Sequence, residues 1–287
     1  MTSKNTLIIG TRGSALALAQ ADMVRAALSA LHPGLDIRRE IIRTTGDRRT
    51  DVPLADVARV SGIVDKGIFI KELETALLEG RIDVAVHSLK DVPSELAPEF
   101  RLPAVLPRAA AEDVLITKEP DWNGRGTLAT GSVRRRLMAR TYWGRQLRFE
   151  DLRGNVPTRL EKLVEHPEWD AVILAKAGLE RLGLYAPETV VQGRKLYMRP
   201  LPVEAFIPAV GQGIVGMECR ASDRKTKELL AGINDAETCA CGMAERTFLV
   251  RLGASCSTPV GVHACLEGDE LVLRAAYYVP GLSLIHI

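Results

Sequence analysis

The stretch Leu7-Ile8-Ile9-Gly10-Thr11-Arg12-Gly13-Ser14, followed by the Ala- and Leu-rich run Ala15–Leu31, decides the fold. A short apolar run ending at a glycine predicts a buried strand over 7–10. Thr11-Arg12-Gly13-Ser14 reads as a turn, and the next seventeen residues as a helix stopped by His32-Pro33-Gly34. Working outward, a second strand is predicted over 35–44 and a helix over 68–79, closed by Gly80. Asp83-Val84-Ala85-Val86-His87 then reads as a short buried strand. This β-α-β-α-β order argues for a parallel sheet with helices on both faces.

The pattern recurs with different letters. Strands are predicted over 113–117, 127–130, 148–153 and 170–175, with helices starting at Arg134, over 157–164, and from 176 through Leu182. Met198-Arg199-Pro200-Leu201-Pro202 reads as a linker crossing back, and the chain is expected to re-enter the first half over 207–219. Beyond Arg220, helices are predicted over 226–233 and 236–252, then two strands joined at Glu267-Gly268-Asp269. The expected organisation is α/β: a first lobe of 1–105 plus 205–220, a second of 106–200, and a smaller α+β domain over 221–287. Two α/β lobes joined by crossing segments usually hold a ligand in the cleft between them. That statement alone carries no chemistry.

Composition narrows the class. The chain has 287 residues, 46% of them hydrophobic, and a formal net charge of +2, which argues against a general nucleic-acid binder. No apolar run reaches the roughly 20 residues of a membrane span. The opening Met1 to Thr6 lacks the pattern of a signal peptide, so a cytoplasmic protein is expected. Five cysteines (Cys219, Cys239, Cys241, Cys256 and Cys265) read as free thiols in a reducing compartment. The Cys239-x-Cys241 spacing does not match the usual zinc pattern, and no metal is expected.

Several turns have the makings of a site. Gly10-Thr11-Arg12-Gly13-Ser14 leaves backbone N–H groups at a helix start, which favours an anion, and Arg12 adds a planar fork. The bland alternative is a Ser14 cap with a surface arginine. Thr130-Gly131-Ser132-Val133-Arg134-Arg135 is the counterpart in the second half. Cations in the first turn of a helix oppose its dipole, so these arginines call for an anion. Arg153 and Arg159 flank Gly154, which permits a tight backbone turn, and Arg181 follows another strand. Such a set suits several carboxylates; charge alone fits a phosphate equally well. His87-Ser88-Leu89-Lys90-Asp91-Val92-Pro93 puts Lys90 and Asp91 where a strand leaves the sheet. An aspartate among arginines stays ionised and can handle protons near nitrogen. Cys256 sits in the small-residue loop Gly253-Ala254-Ser255-Cys256-Ser257-Thr258-Pro259, either as an open thiol or as an ordinary structural cysteine.

Four motifs in order resemble the porphobilinogen deaminase (hydroxymethylbilane synthase) family. They are Gly-Thr-Arg-Gly-Ser-Ala-Leu-Ala-Leu-Ala-Gln at 10–20, His-Ser-Leu-Lys-Asp-Val-Pro at 87–93, Leu-Arg-Gly-Asn-Val-Pro-Thr-Arg-Leu at 152–160 and Ala-Val-Gly-Gln-Gly-Ile-Val-Gly-Met-Glu-Cys-Arg at 209–220. The resemblance spans nearly the whole chain. It implies two lobes like those of periplasmic binding proteins, with a third domain whose cysteine, matched by Cys256, holds a dipyrromethane cofactor through a thioether. It implies a transferase that condenses four porphobilinogen molecules head to tail and releases ammonia at each step. Asp91 matches the family's catalytic aspartate, with Lys90 beside it. Arg12, Arg134, Arg135, Arg153, Arg159 and Arg181 match its carboxylate binders, and Ser14, Ser88, Thr130 and Ser132 its other substrate or cofactor contacts. A monomer is implied, with no nucleic-acid or membrane partner.

Two segments depart from the family pattern. Val60-Ser61-Gly62-Ile63-Val64-Asp65-Lys66-Gly67-Ile68-Phe69 keeps Lys66 and Phe69 of an expected lid loop but rearranges what precedes them. The chain closes with an apolar run after Pro280, so a shortened third domain is expected. Two other readings compete. A solute-binding or sensor module on the same two lobes would not need Cys256. A phosphate-handling transferase would want a G-x4-G-K-[ST] loop, which the sequence lacks.

Overall fold

The computed structural model describes residues 6–45, 70–253 and 258–278, together with the backbone of 285–286. The chain divides into two compact units, Met1–Arg108 with Ile214–Cys256, and Ala109–Gly213 with Ser257–Ile287.

In the first unit, β1 (Thr6–Thr11), β2 (Asp36–Ile41), β3 (Val84–Ser88), β4 (Phe100–Val105) and β11 (Val215–Arg220) form one sheet in the order β2-β1-β3-β11-β4. Strands β1, β2 and β3 run parallel, linked by helices α1 (Ala15–Leu31) and α2 (Lys71–Leu78). The alternation of strand side chains builds the two faces. Leu7 and Ile9 pack with Val24 and Leu28 of α1, while Ile8 turns to the other face, where Leu73 and Leu77 of α2 pack. β11 lies antiparallel to both β3 and β4, so the sheet is mixed rather than parallel as expected. β4 lacks any clear periodic signal, and it owes its place to the edge that β11 offers. Helices α6 (Arg224–Ala231) and α7 (Ala236–Leu252) belong to this unit.

The second unit contains β5 (Asp113–Thr117), β6 (Gly126–Ala129), β7 (Leu147–Glu150), β8 (Ala171–Ala175), β9 (Glu188–Val191) and β10 (Arg194–Pro200), ordered β7-β6-β8-β5-β10-β9. β6, β7 and β8 are parallel, separated by α3 (Val133–Trp143) and α4 (Val156–Glu165); α5 (Lys176–Arg181) follows β8. The segment read as a linker at 198–202 begins inside β10, where Met198 faces Ile116 of β5. Leu196 and Met198 are buried on alternate positions, the mark of a strand; the prolines that follow end the strand without preventing it.

The expected return to the first lobe near 205 occurs at 214. Phe206 and Ile207 pack with Leu115 and Leu128 of the second unit, which keeps the chain there. Gly213 has φ +87, and a Cβ there would stand 2.5 Å from the Ala109 carbonyl, so only glycine suits the last residue before the crossing. After residue 257 the chain forms a three-stranded sheet, β12 (Val260–Glu267), β13 (Glu270–Tyr277) and β14 (Ile285–His286), counted with the second unit. Its β12 donates Val262 N–H to the Pro208 carbonyl at 3.0 Å.

Candidate active site

In each unit the functional turns leave the carboxyl ends of neighbouring parallel strands, where open α/β sheets expose backbone N–H groups and helix starts.

In the first unit those turns follow β1 and β3. Ser14 caps α1, accepting the Ala17 N–H at 3.3 Å. Thr11, fully buried, donates its hydroxyl to the Ala17 carbonyl at 3.0 Å and ties the turn to the helix. Gln20, on the first turns of α1, reaches across to β3, where its amide donates to Ser88 Oγ at 2.8 Å. The next strand residue back, His87, is buried and bonded through Nε2 to Glu218 of β11 at 2.8 Å. β3 then tightens into a single 3-10 turn, Leu89–Asp91. Leu89 N–H binds the Ile214 carbonyl at 2.9 Å, and Val92 N–H binds Leu89 at 3.1 Å, so the backbone carrying Asp91 is held from both sides.

These elements enclose a pocket of about 410 Å³, counting the part open to solvent. Arg12, Ser14, Gln20, His87, Ser88 and Asp91 give its polar lining; Leu16, Ala17, Ile70 and Val86 give an apolar wall. A cation, a half-buried carboxylate and an apolar wall within one pocket can hold an acidic heterocycle by its carboxylate and its ring. Lys90 shares the turn with Asp91 and is half-buried.

Sequence reading gave no role to Gln20, His87, Glu218 or Arg246. Arg246, on α7, is buried and donates Nη2 to the carbonyls of Pro93 at 2.6 Å and Ser94 at 2.9 Å, immediately after the Asp91 turn. Burial pushes its pKa down, against the pull of Glu218. Gln20 lies within a quoted motif, yet nothing in its spacing points to Ser88.

In the second unit, β7, β6 and β8 lie side by side and parallel, so the turns after them emerge at one edge. Thr130 N–H binds the Glu150 carbonyl at 2.8 Å, which joins the ends of β6 and β7. Ser132 caps α3 by accepting the Arg135 N–H at 3.3 Å, and Ser132 N–H donates to Thr130 Oγ1 at 3.2 Å. After β7, Asn155 caps α4 by accepting the Thr158 N–H at 2.9 Å. Arg159 Nε binds the Gly154 carbonyl at 2.7 Å, and Arg153 offers its carbonyl to Lys162 at 3.2 Å. After β8, Arg181 donates Nη2 to the Gly213 carbonyl at 2.7 Å; its buried Nε has no hydrogen-bond partner among the described residues. Burial presses the Arg181 pKa down, countered by Glu180.

Arg134 and Arg135 are placed differently from the expectation of open anion binders. Both are buried, and both hold Asp113 at the start of β5. Arg134 Nη2 reaches Oδ2 at 2.7 Å, and Arg135 Nη2 reaches Oδ1 at 2.7 Å. Burial alone raises the Asp113 pKa, but the two guanidinium charges and their hydrogen bonds outweigh it and hold the carboxyl far below its ordinary range. The anion that these helix-start arginines demand is thus, in part, the protein's own. No sequence signal linked Asp113 to them, because the pairing crosses from β5 to α3. Cys256, Lys66 and Phe69 lie outside the described residues.

Fold and site together define a class: an α/β protein of two units, each with cationic turns at the carboxyl ends of parallel strands, and in the first a carboxylate inside a polar pocket. Family models narrow this. "Porphobilinogen deaminase, dipyromethane cofactor binding domain" matches residues 7–228, and "Porphobilinogen deaminase, C-terminal domain" matches 239–281. The porphobilinogen deaminase of Roseiflexus sp. (strain RS-1) is 45% identical over 276 residues, covering 94% of this chain and 85% of that protein. Those of Syntrophotalea carbinolica and Acidithiobacillus ferrooxidans (strain ATCC 53993 / BNL-5-31) are 42% and 41% identical, covering 94% and 98% of this chain and 82% and 88% of theirs. The chain belongs to the porphobilinogen deaminase family, transferases that form hydroxymethylbilane in tetrapyrrole biosynthesis and bind a dipyrromethane cofactor. No helix among the described residues is long and apolar enough to cross a membrane.

Proposed function

We propose that this chain condenses porphobilinogen with Asp91 as its proton-handling carboxylate and Cys256 as the anchor of the cofactor. The observation that carries the reading is the convergence of Arg12, Ser14, Gln20, His87, Ser88 and Asp91 on one pocket. Each condensation forms one carbon–carbon bond and releases one ammonia, so a proton must reach the departing amine and another must leave the pyrrole carbon. Asp91 sits on a turn with both ends hydrogen-bonded, so its backbone is held at the pocket while its carboxylate steadies positive charge on a pyrrole nitrogen and relays protons. Lys90 is assigned to the same step. Arg12 takes a substrate carboxylate, while Ser14 and Ser88 supply hydroxyl contacts.

Acetate and propionate side chains on each pyrrole ask for several cations on rigid supports. Arg181, a partly buried cation with an idle Nε, fits that demand. Arg134 and Arg135 fit it as well, since two guanidiniums against one carboxylate leave a positive excess. Arg153 and Arg159 extend the set, with Thr130 and Ser132 as its neutral donors. When bound through a thioether at Cys256, dipyrromethane supplies the pyrrole carbon from which the product is extended. Lys66 and Phe69 are assigned to a lid. The segment 221–287 is assigned to the family's third domain, and the protein to the cytoplasm as a monomer.

Intact mass of the purified chain beside Cys256→Ser tests this. An added mass of two linked pyrroles, present only with Cys256, is expected. Unmodified protein in both preparations would overturn the anchoring role.

A further inference from the structure

We propose that Asp113 sets the charge selectivity of the second unit's anion site, matching it to a singly charged carboxylate and against a doubly charged phosphate. The proposal rests on the reading that Arg134 and Arg135 take a ligand carboxylate. Asp113 is fully buried at the first position of β5, and its carbonyl accepts the Leu201 N–H at 2.8 Å. Its side chain receives four donors. Arg134 Nη2 binds Oδ2 at 2.7 Å; Oδ1 takes Arg135 Nη2 at 2.7 Å, Arg135 Nε at 3.2 Å and Gln212 Nε2 at 3.1 Å. A carboxylate so held is ionised throughout the working range of the protein.

The charge count follows. Two guanidiniums and one carboxylate leave one positive charge, to which the start of α3 adds a partial positive charge of about one half. Without Asp113 the same place would carry two full positive charges, so the carboxylate removes one, and the attraction lost is twice as large for a dianion as for a monoanion. The dianion's desolvation cost is also several times greater, because that cost rises with the square of the charge. The same carboxylate also fixes the forks. Arg134 sends Nη1 to the Ile207 carbonyl at 2.7 Å and lies over the Phe206 ring at 5.9 Å, so neither arginine is left to swing toward a larger anion.

The test uses the full chain carrying Cys256→Ser, in which no anchored group competes, titrated calorimetrically with inorganic phosphate and with acetate. Asp113→Asn keeps the shape and removes the charge. It should tighten phosphate binding roughly tenfold or more while changing acetate far less. The same phosphate affinity in both proteins would overturn the proposal. If Asp113→Asn fails to fold, Asp113→Asn/Arg135→Gln restores one net positive charge and should restore the selectivity of the parent; phosphate preferred by this double variant would reject the idea. Arg135→Gln with Cys256 intact separates the two layers. A raised KM for porphobilinogen upholds the underlying reading whatever Asp113→Asn shows. An unchanged KM removes that reading and this proposal with it.

Discussion

The two units begin a helix in nearly the same way and reach opposite electrostatic solutions. After β1, the turn Thr11-Arg12-Gly13-Ser14 places its arginine before the cap, and α1 begins with uncharged residues. After β6, the turn Thr130-Gly131-Ser132 places two arginines inside the first turn of α3. Both serines cap their helices at 3.3 Å. The first arrangement leaves Arg12 lining an open pocket. The second puts like charge against the positive end of the helix dipole and needs Asp113 to hold it. A shared local motif therefore does not fix how a cation is used; its register against the cap does.

The largest effect expected from breaking this comparison lies in the first unit. Asp91→Ala should fold normally and lower kcat by about 10²–10⁴-fold, since proton transfer at a positioned group contributes that much. Near-normal turnover in a steady-state assay would remove Asp91 from the chemistry. In the second unit the equivalent damage is structural. Asp113→Ala strands two buried guanidiniums and should cost about 3–5 kcal/mol in urea unfolding. A loss below about 1 kcal/mol would mean that the arginines find other anions, and the contrast between the units would fail.

The pH dependence of the same carboxylate sharpens the point. Its pKa is lowered by folding, so its stabilising contribution is complete above about pH 4 and declines as the solution is made more acidic. Asp113→Asn should flatten that acid limb of the stability curve. The smallest effect concerns the caps. Ser14→Ala and Ser132→Ala should each cost about 1 kcal/mol. Equal losses would place the whole difference between the units in the arginines; a much larger loss at Ser132 would show that its cap also braces them.

Much of the architecture was legible because it rests on local rules. β5 and α7 fall where the sequence predicts them, and most other elements lie within a few residues of it. β10 was misread because proline and polar residues at its end mask an alternation of only two buried positions, Leu196 and Met198. The site was legible as residue types at strand ends, through motifs that carry their own turn chemistry. Partners from distant strands were not. Glu218 meets His87, Asp113 meets Arg134, and Arg246 meets the Pro93 carbonyl across 131, 21 and 153 positions of chain.

By itself, then, the sequence determined the alternation of strands and helices, the turns at 11–14 and 130–132 and the cationic inventory, and four motifs along it carried the resemblance to the family. The first three follow from neighbours within a turn or two, where periodicity and turn chemistry act. The tertiary structure decided that β11 enters the first sheet antiparallel, that the second unit keeps residues 205–213, and that Arg134 and Arg135 share an internal carboxylate. These depend on which distant backbone edge and which buried charge come to lie together, and burial makes an unpaired charge too costly to leave unanswered.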